Sequence, residues 1–149
     1  MCSATCRDGR LRQVRSPLSA RVALWILFLS AASVGAVAAT APHTFYADFP
    51  FFAHWVEMLP PYNHHLVTDV GGLYLGFAVI FAWAAISLEP TLVRAACVAW
   101  LLTASIHLVF HATHLDGFGT ADGVAEIASL AFLLVPPLVA IWAVRATPS

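Results

Sequence analysis

Lysine is absent from this chain of 149 residues, and charge of either sign is scarce: Asp, Glu, Lys and Arg together make up 10%. A soluble domain of this length needs more charge to stay dispersed, so the composition excludes an ordinary globular protein. The only basic cluster is a short arginine-bearing N-terminal tail, which argues against nucleic acid as a partner. Cysteine is equally sparse. Cys2 and Cys6 precede the first apolar run and Cys97 lies within the third, a placement that gives no disulfide framework. No Cys-x-x-Cys-His occurs, so the usual covalent c-type haem attachment is excluded. Gly-x-Ser-x-Gly, a phosphate-binding glycine loop and His-Glu-x-x-His are missing too.

What is present is hydrocarbon. Hydrophobic residues make up 60% of the chain, and the mean hydropathy is +0.82. Four apolar stretches, Leu18 to Thr40, Leu66 to Leu88, Thr91 to Phe110 and Val124 to Val144, reach the roughly 20 residues that a bilayer core requires. The expected fold is all-α: a four-transmembrane-helix bundle in the lipid bilayer, with helices about 18–40, 66–88, 91–114 and 122–145. Residues 1–17 are expected to be a disordered basic tail, and 18–146 a single membrane domain. All seven arginines (Arg7, Arg10, Arg12, Arg15, Arg21, Arg94, Arg145) fall on one side of such a topology. The positive-inside rule then places both termini in the cytoplasm and the protein in the inner (cytoplasmic) membrane. The rival reading of the first helix is a cleaved signal peptide, since basic residues precede an apolar run ending in Ala36-Val37-Ala38-Ala39-Thr40-Ala41; the run is longer than a typical signal core.

Between the first and second helices, residues 41–65 form a long segment dense in Phe, Tyr and Trp. Aromatic rings with one wet edge suit the membrane interface, so this segment is expected to lie along the outer surface as a lid, with a short helix from Phe51 to Met58. Glu89-Pro90 makes a tight hairpin between the second and third helices. Pro136-Pro137 should kink the fourth helix in its inner half. Small residues in the first helix (Ala31, Ala32, Ser33, Gly35, Ala36) and the step Gly72-Leu73-Tyr74-Leu75-Gly76 in the second predict close helix approach.

All seven histidines map to the outer half, with Asp48, Glu57, Asp69, Asp116, Asp122 and Glu126. At about 100° per residue, His107, His111 and His114 share one stripe that Thr103 extends inward. His65 and Asp69 share a face of the second helix, and Asp122, Glu126 and Ser129 one of the fourth. Ionisable groups in a membrane normally turn toward the bundle interior or a water-filled cavity. Converging stripes would bring His65, Asp69, His107, His111, His114 and Glu126 together as candidate ligands for a transition metal such as zinc, iron or copper. A b-type haem between His65 and His107 or His111 is a variant of the same idea. Simpler roles compete: Asp122 as helix N-cap, Asp116 as an Asp-Gly turn, and Asp69 as a local partner of His65.

Two stretches, "FYADFPFFAHWVEMLPPYNHHLVTDVGGLYL" and "HLVFHATHLDGFGTADGVAEIASL", carry Pro61-Tyr62-Asn63, His65, Asp69-Val70-Gly71, His107, His111 and His114-Leu115-Asp116-Gly117. In these the chain resembles an uncharacterised family of small four-helix bacterial integral membrane proteins, and in size and layout it is loosely similar to the DoxX-like proteins. The resemblance implies the architecture and lends no catalytic assignment. Three functions fit the residues. The cluster holds a transition metal with a redox or metal-handling role; or the protein is a membrane oxidoreductase acting on a lipid-soluble substrate, with His107 and Glu126 transferring protons; or it is an accessory subunit of a larger membrane complex or a homo-oligomer, with a purely structural polar cluster.

Overall fold

In the computed structural model, residues 16–51, 53–59 and 61–144 are described. Residues 1–15 of the expected basic tail, with Cys2 and Cys6, and Arg145 lie outside them; the tail's last residue by expectation, Pro17, is the first of a helix. The elements are α1 (Pro17–Thr40), α2 (Pro42–Asp48), a 3₁₀ turn at Val56–Met58, α3 (His64–Ser87), α4 (Pro90–Ala112), α5 (Thr120–Phe132) and α6 (Val135–Ala143), with no strand among the described residues. Four helical spans, the fourth made of α5 and α6, are long and apolar enough to cross a membrane. Leu29, Val79, Trp83, Ile106 and Val109 lie on the exterior, as lipid-facing side chains do. The backbone N–H of Ser16 donates to Ala143 O at 3.2 Å, which puts the start of α1 and the end of α6 at one end of the bundle. The opposite end is called distal below.

The tightest packing joins α1 and α3. Buried residues recur every three or four positions along α1, at Ala20, Leu24, Leu27, Ala31, Gly35 and Ala38, and most are small enough to let a neighbour approach. A Cβ on Gly35 would sit 2.8 Å from Leu75 N, and one on Gly71 would collide with the backbone of Ala38 and Ala39. Of the small residues expected to pack, Ala31 and Gly35 are buried while Ser33 and Ala36 are exposed, and the expected step at Gly72 and Gly76 is not a contact: a Cβ at either would meet nothing within 4 Å. The close approach is one residue earlier, at Gly71, so α3 presents a different face to α1 than the polar pair His65 and Asp69 suggests.

Ends and breaks follow local chemistry. Asn63 accepts a hydrogen bond from Leu66 N at 3.1 Å and caps α3 two residues before the expected start. At the α3–α4 hairpin, Glu89 accepts from Thr91 N at 2.9 Å and Leu92 N at 2.6 Å, and these N–H groups hold its carboxyl below the usual range. The aromatic segment differs from expectation: its helix is α2, opened by Pro42, rather than residues 51–58. Pro50 biases Phe49 to extended backbone (φ −86°, ψ 141°) and so ends α2. Asp122 is not the cap of α5, which starts at Thr120 after Gly119; Asp122 sits in the first turn, where a negative charge suits the helix dipole.

The prolines interrupt the fourth span at Leu133 and Leu134, at the place of the expected kink, while both residues keep helical backbone angles (φ −66°, ψ −8° and φ −82°, ψ −20°). Pro137 has no N–H to offer Leu133 O, four residues back. The Trp100 indole donates to that carbonyl instead, at 3.2 Å. Trp100→Phe would leave the carbonyl without this donor, and is expected to cost about 1–3 kcal/mol, read by reversible SDS unfolding in mixed micelles. Above the break the span changes partners. α6 packs on α1 and α4, whereas α5 touches α4, and no α5 residue comes within 8 Å (Cα to Cα) of α1 or α3.

Candidate functional site: a roofed cavity at the distal end

The separation of α5 from α1 and α3 leaves a cavity of about 570 Å³. Its α4 wall is one helical stripe, Trp100, Thr103, Ala104, His107 and His111, spaced three or four residues apart. Its floor is aromatic: Tyr74 and Trp100 line it. Tyr74, Phe77 and Phe81 meet Trp100 edge-on at ring separations of 5.4–5.8 Å, the favoured geometry for such pairs, with Phe77 and Phe81 in the core behind. Its roof is the segment that follows α1, contributing Phe45, Phe49, Pro50, Trp55, Val56 and Leu59. Trp55 Nε1 donates to Asp122 Oδ1 at 3.4 Å and fastens the roof to the top of α5. Tyr46 OH donates to Leu59 O at 3.5 Å and holds the roof to itself. The lid read from the aromatic composition is therefore present, as a cover over a cavity.

One polar pair stands out in this apolar setting. His111 Nδ1 and Glu126 Oε1 are hydrogen-bonded at 2.6 Å, and both residues are buried, at 7% and 3% exposure. Glu126 lies six residues into α5, about 9 Å along its axis. The residue also lines the cavity. Its second oxygen, Oε2, is buried and has no hydrogen-bond partner among the described residues. The His107 ring lies 4.4 Å from that of His111 and borders the same cavity. Ser129, one turn below Glu126, also lines it, its hydroxyl donating to Glu126 O at 2.7 Å.

The remaining sequence candidates lie elsewhere. His65 and Asp69 form a local pair at 3.3 Å on the exposed side of α3, the simpler of the two roles open to them. His114 stacks on Phe110, with ring centroids 4.1 Å apart, its Nδ1 2.8 Å from Phe110 O. The six expected ligands thus divide among three places, and no three His, Cys, Asp or Glu side chains among the described residues form a group that could hold a metal ion. For haem, the two histidines on the cavity wall come from α4 alone, while His65 is engaged outside.

Comparison with protein-family models, curated proteins and solved structures finds no match. Any functional reading therefore rests on the site itself. Sequence reasoning identified His107, His111, Glu126, Thr103 and Ser129, and missed Trp55, Tyr74 and Trp100. For Trp100 the signal existed, since it begins the three-and-four stripe that runs to His111. For Trp55 there was none, because its place depends on how the roof folds back over α5.

Proposed function

We propose that the protein binds a lipid-soluble small molecule in the distal cavity and that the His111–Glu126 pair hydrogen-bonds its polar head and exchanges a proton with it. The supporting observation is Glu126 Oε2. A carboxyl oxygen without a partner in a water-poor interior costs about 1–3 kcal/mol, more if the group is charged. A ligand hydroxyl would recover that cost. A pair serving only to fix helix packing has no need of a buried, unpartnered oxygen on a residue that lines a cavity. The volume supports the reading, lying within the range of about 300–1,000 Å³ found for small-molecule sites. So does the lining, which is aromatic and aliphatic with a few converging polar groups. The metal reading lacks comparable support, because its six residues do not converge. In the proposed orientation, which rests on the arginine distribution, both termini are in the cytoplasm and the cavity faces the outer leaflet of the cytoplasmic membrane.

The test is a titration of nanodisc-embedded protein with four amphiphiles that share an octyl chain and differ in head: octanol, octanoate, octylamine and 4-octylphenol. Trp55 and Trp100 border the cavity, so their emission reports occupancy. Saturable responses are expected for octanol and 4-octylphenol. In Glu126→Leu they should weaken at least tenfold, about 1.4 kcal/mol, as expected for losing a hydrogen bond to a buried group. No saturable response to any of the four, or equal responses in wild type and variant, overturns the reading.

A further inference from the structure

Resting on that reading, we propose that the cavity is entered from within the bilayer, through the flank between α1 and α5. Its ligand is a single-tailed amphiphile with a ring-sized, hydroxyl-bearing head. The head lies at Glu126 and the tail in the flank.

Three independent features give this arrangement. The first is the path of the fourth span. α6 packs against α1, but beyond the break at Leu133 and Leu134 the chain departs, and α5 no longer approaches α1 or α3. The flank is thus closed at its lower end and parted in its upper half, at the depth of the cavity.

The second is what borders the gap. Ser33 on α1 and Phe132 at the end of α5 both line the cavity while remaining exposed, so their surfaces belong to the cavity and the exterior together. Val34 and Leu133 continue the two rims. The Ser33 hydroxyl is engaged within the helix, its Oγ donating to Ser30 O at 2.9 Å. An alkyl chain lying there would meet side chains on two sides and lipid on the third.

The third is what covers the cavity above and below. The roof covers the cavity toward the headgroups and is fastened to α5 through Trp55 and Asp122. The floor is filled by Tyr74 and Trp100, backed by Phe77 and Phe81, and α4 forms the far wall. A tail leaving toward the roof would have to pass between aromatic rings and enter water, whereas a tail leaving between α1 and α5 enters hydrocarbon, where it gains nothing by hiding. The head class follows from the interior. Aromatic side chains in the roof and the floor suit a flat ring, and the unpartnered Glu126 Oε2 beside the cavity calls for a hydroxyl rather than for a charged head.

The experiment uses 4-octylphenol carrying a diazirine at the end of its octyl chain, photolysed with the full-length protein in nanodiscs. Excess unmodified 4-octylphenol is the competitor, and adducts are mapped by peptide mass spectrometry. Competable adducts on residues 26–34 of α1 and 129–135 of the fourth span are expected. Competable adducts confined to residues 45–59 of the roof would overturn lateral entry while leaving the cavity's binding role standing. Absence of any competable adduct would overturn both.

Discussion

Gly71→Ala is expected to cost at least about 3 kcal/mol, the upper end of what over-packing a close-fitted site costs, and to prevent α1 from seating on α3. The added methyl would lie 2.8 Å from Ala38 C and closer still to the backbone of Ala39. Backbone atoms cannot turn aside as a flexible side chain can, so the helices must move apart along their most extensive contact. In a membrane the loss weighs more than the area suggests, because lipid is as apolar as the side chains and close fit itself supplies much of the attraction between helices. Gly72→Ala and Gly76→Ala are the controls. Neither new methyl meets anything, and each removes a helix-interior glycine that costs about 0.5–1 kcal/mol relative to alanine. Both are expected to be neutral or mildly stabilising. SDS unfolding of the three variants decides the matter: equal losses at all three positions would show that the close crossing is not at Gly71.

The second large effect concerns the buried pair. Glu126→Leu is expected to destabilise the fold by about 2 kcal/mol, with His111→Leu similar and the double variant well short of the sum. Measured hydrogen bonds between membrane helices average only about 0.6 kcal/mol, with a maximum near 1.7, because an unfolded chain in lipid also finds partners. This pair should reach the upper end of that scale. It is short, at 2.6 Å, both members are buried, and its removal strands an ionisable group rather than a hydroxyl. A double-mutant cycle should therefore return a coupling of about 1–2 kcal/mol. A coupling indistinguishable from zero would mean that the two side chains do not hold α4 and α5 together.

These two effects also mark how far the sequence is legible. Length and hydropathy determine four spans, and the helix ends follow from Pro42, Asn63 and Glu89, whose chemistry acts within a few residues. The crossing at Gly71 is harder to read, because Gly71, Gly72 and Gly76 differ only in rotation about α3. Which of them faces α1 depends on packing along the whole helix. Among the polar residues, spacing correctly united His107 with His111 and aligned Glu126 with Ser129. It could not decide which stripes converge: His65 and Asp69 carry the same three-and-four signature as Glu126 yet lie on the outside. The cavity was illegible for a further reason. It arises from a contact that is not made, between α5 and α1, and the double proline that divides the fourth span predicts a bend without its direction.

That division has a mechanical consequence. α6 is anchored in the frame of α1 and α4, whereas α5, joined to it through Leu133 and Leu134, approaches only α4 among the other long helices, an arrangement that would let α5 swing as a short lever. Along its length it is secured by α4 and the His111–Glu126 bond, and at its tip by the single tie from Trp55. Small rotations of the lever would widen or narrow the gap beside α1 without disturbing any contact in the frame. If the cavity takes a ligand as proposed, its size selectivity would then be set by the stiffness of one hinge and the strength of two hydrogen bonds, rather than by the shape of a fixed hole.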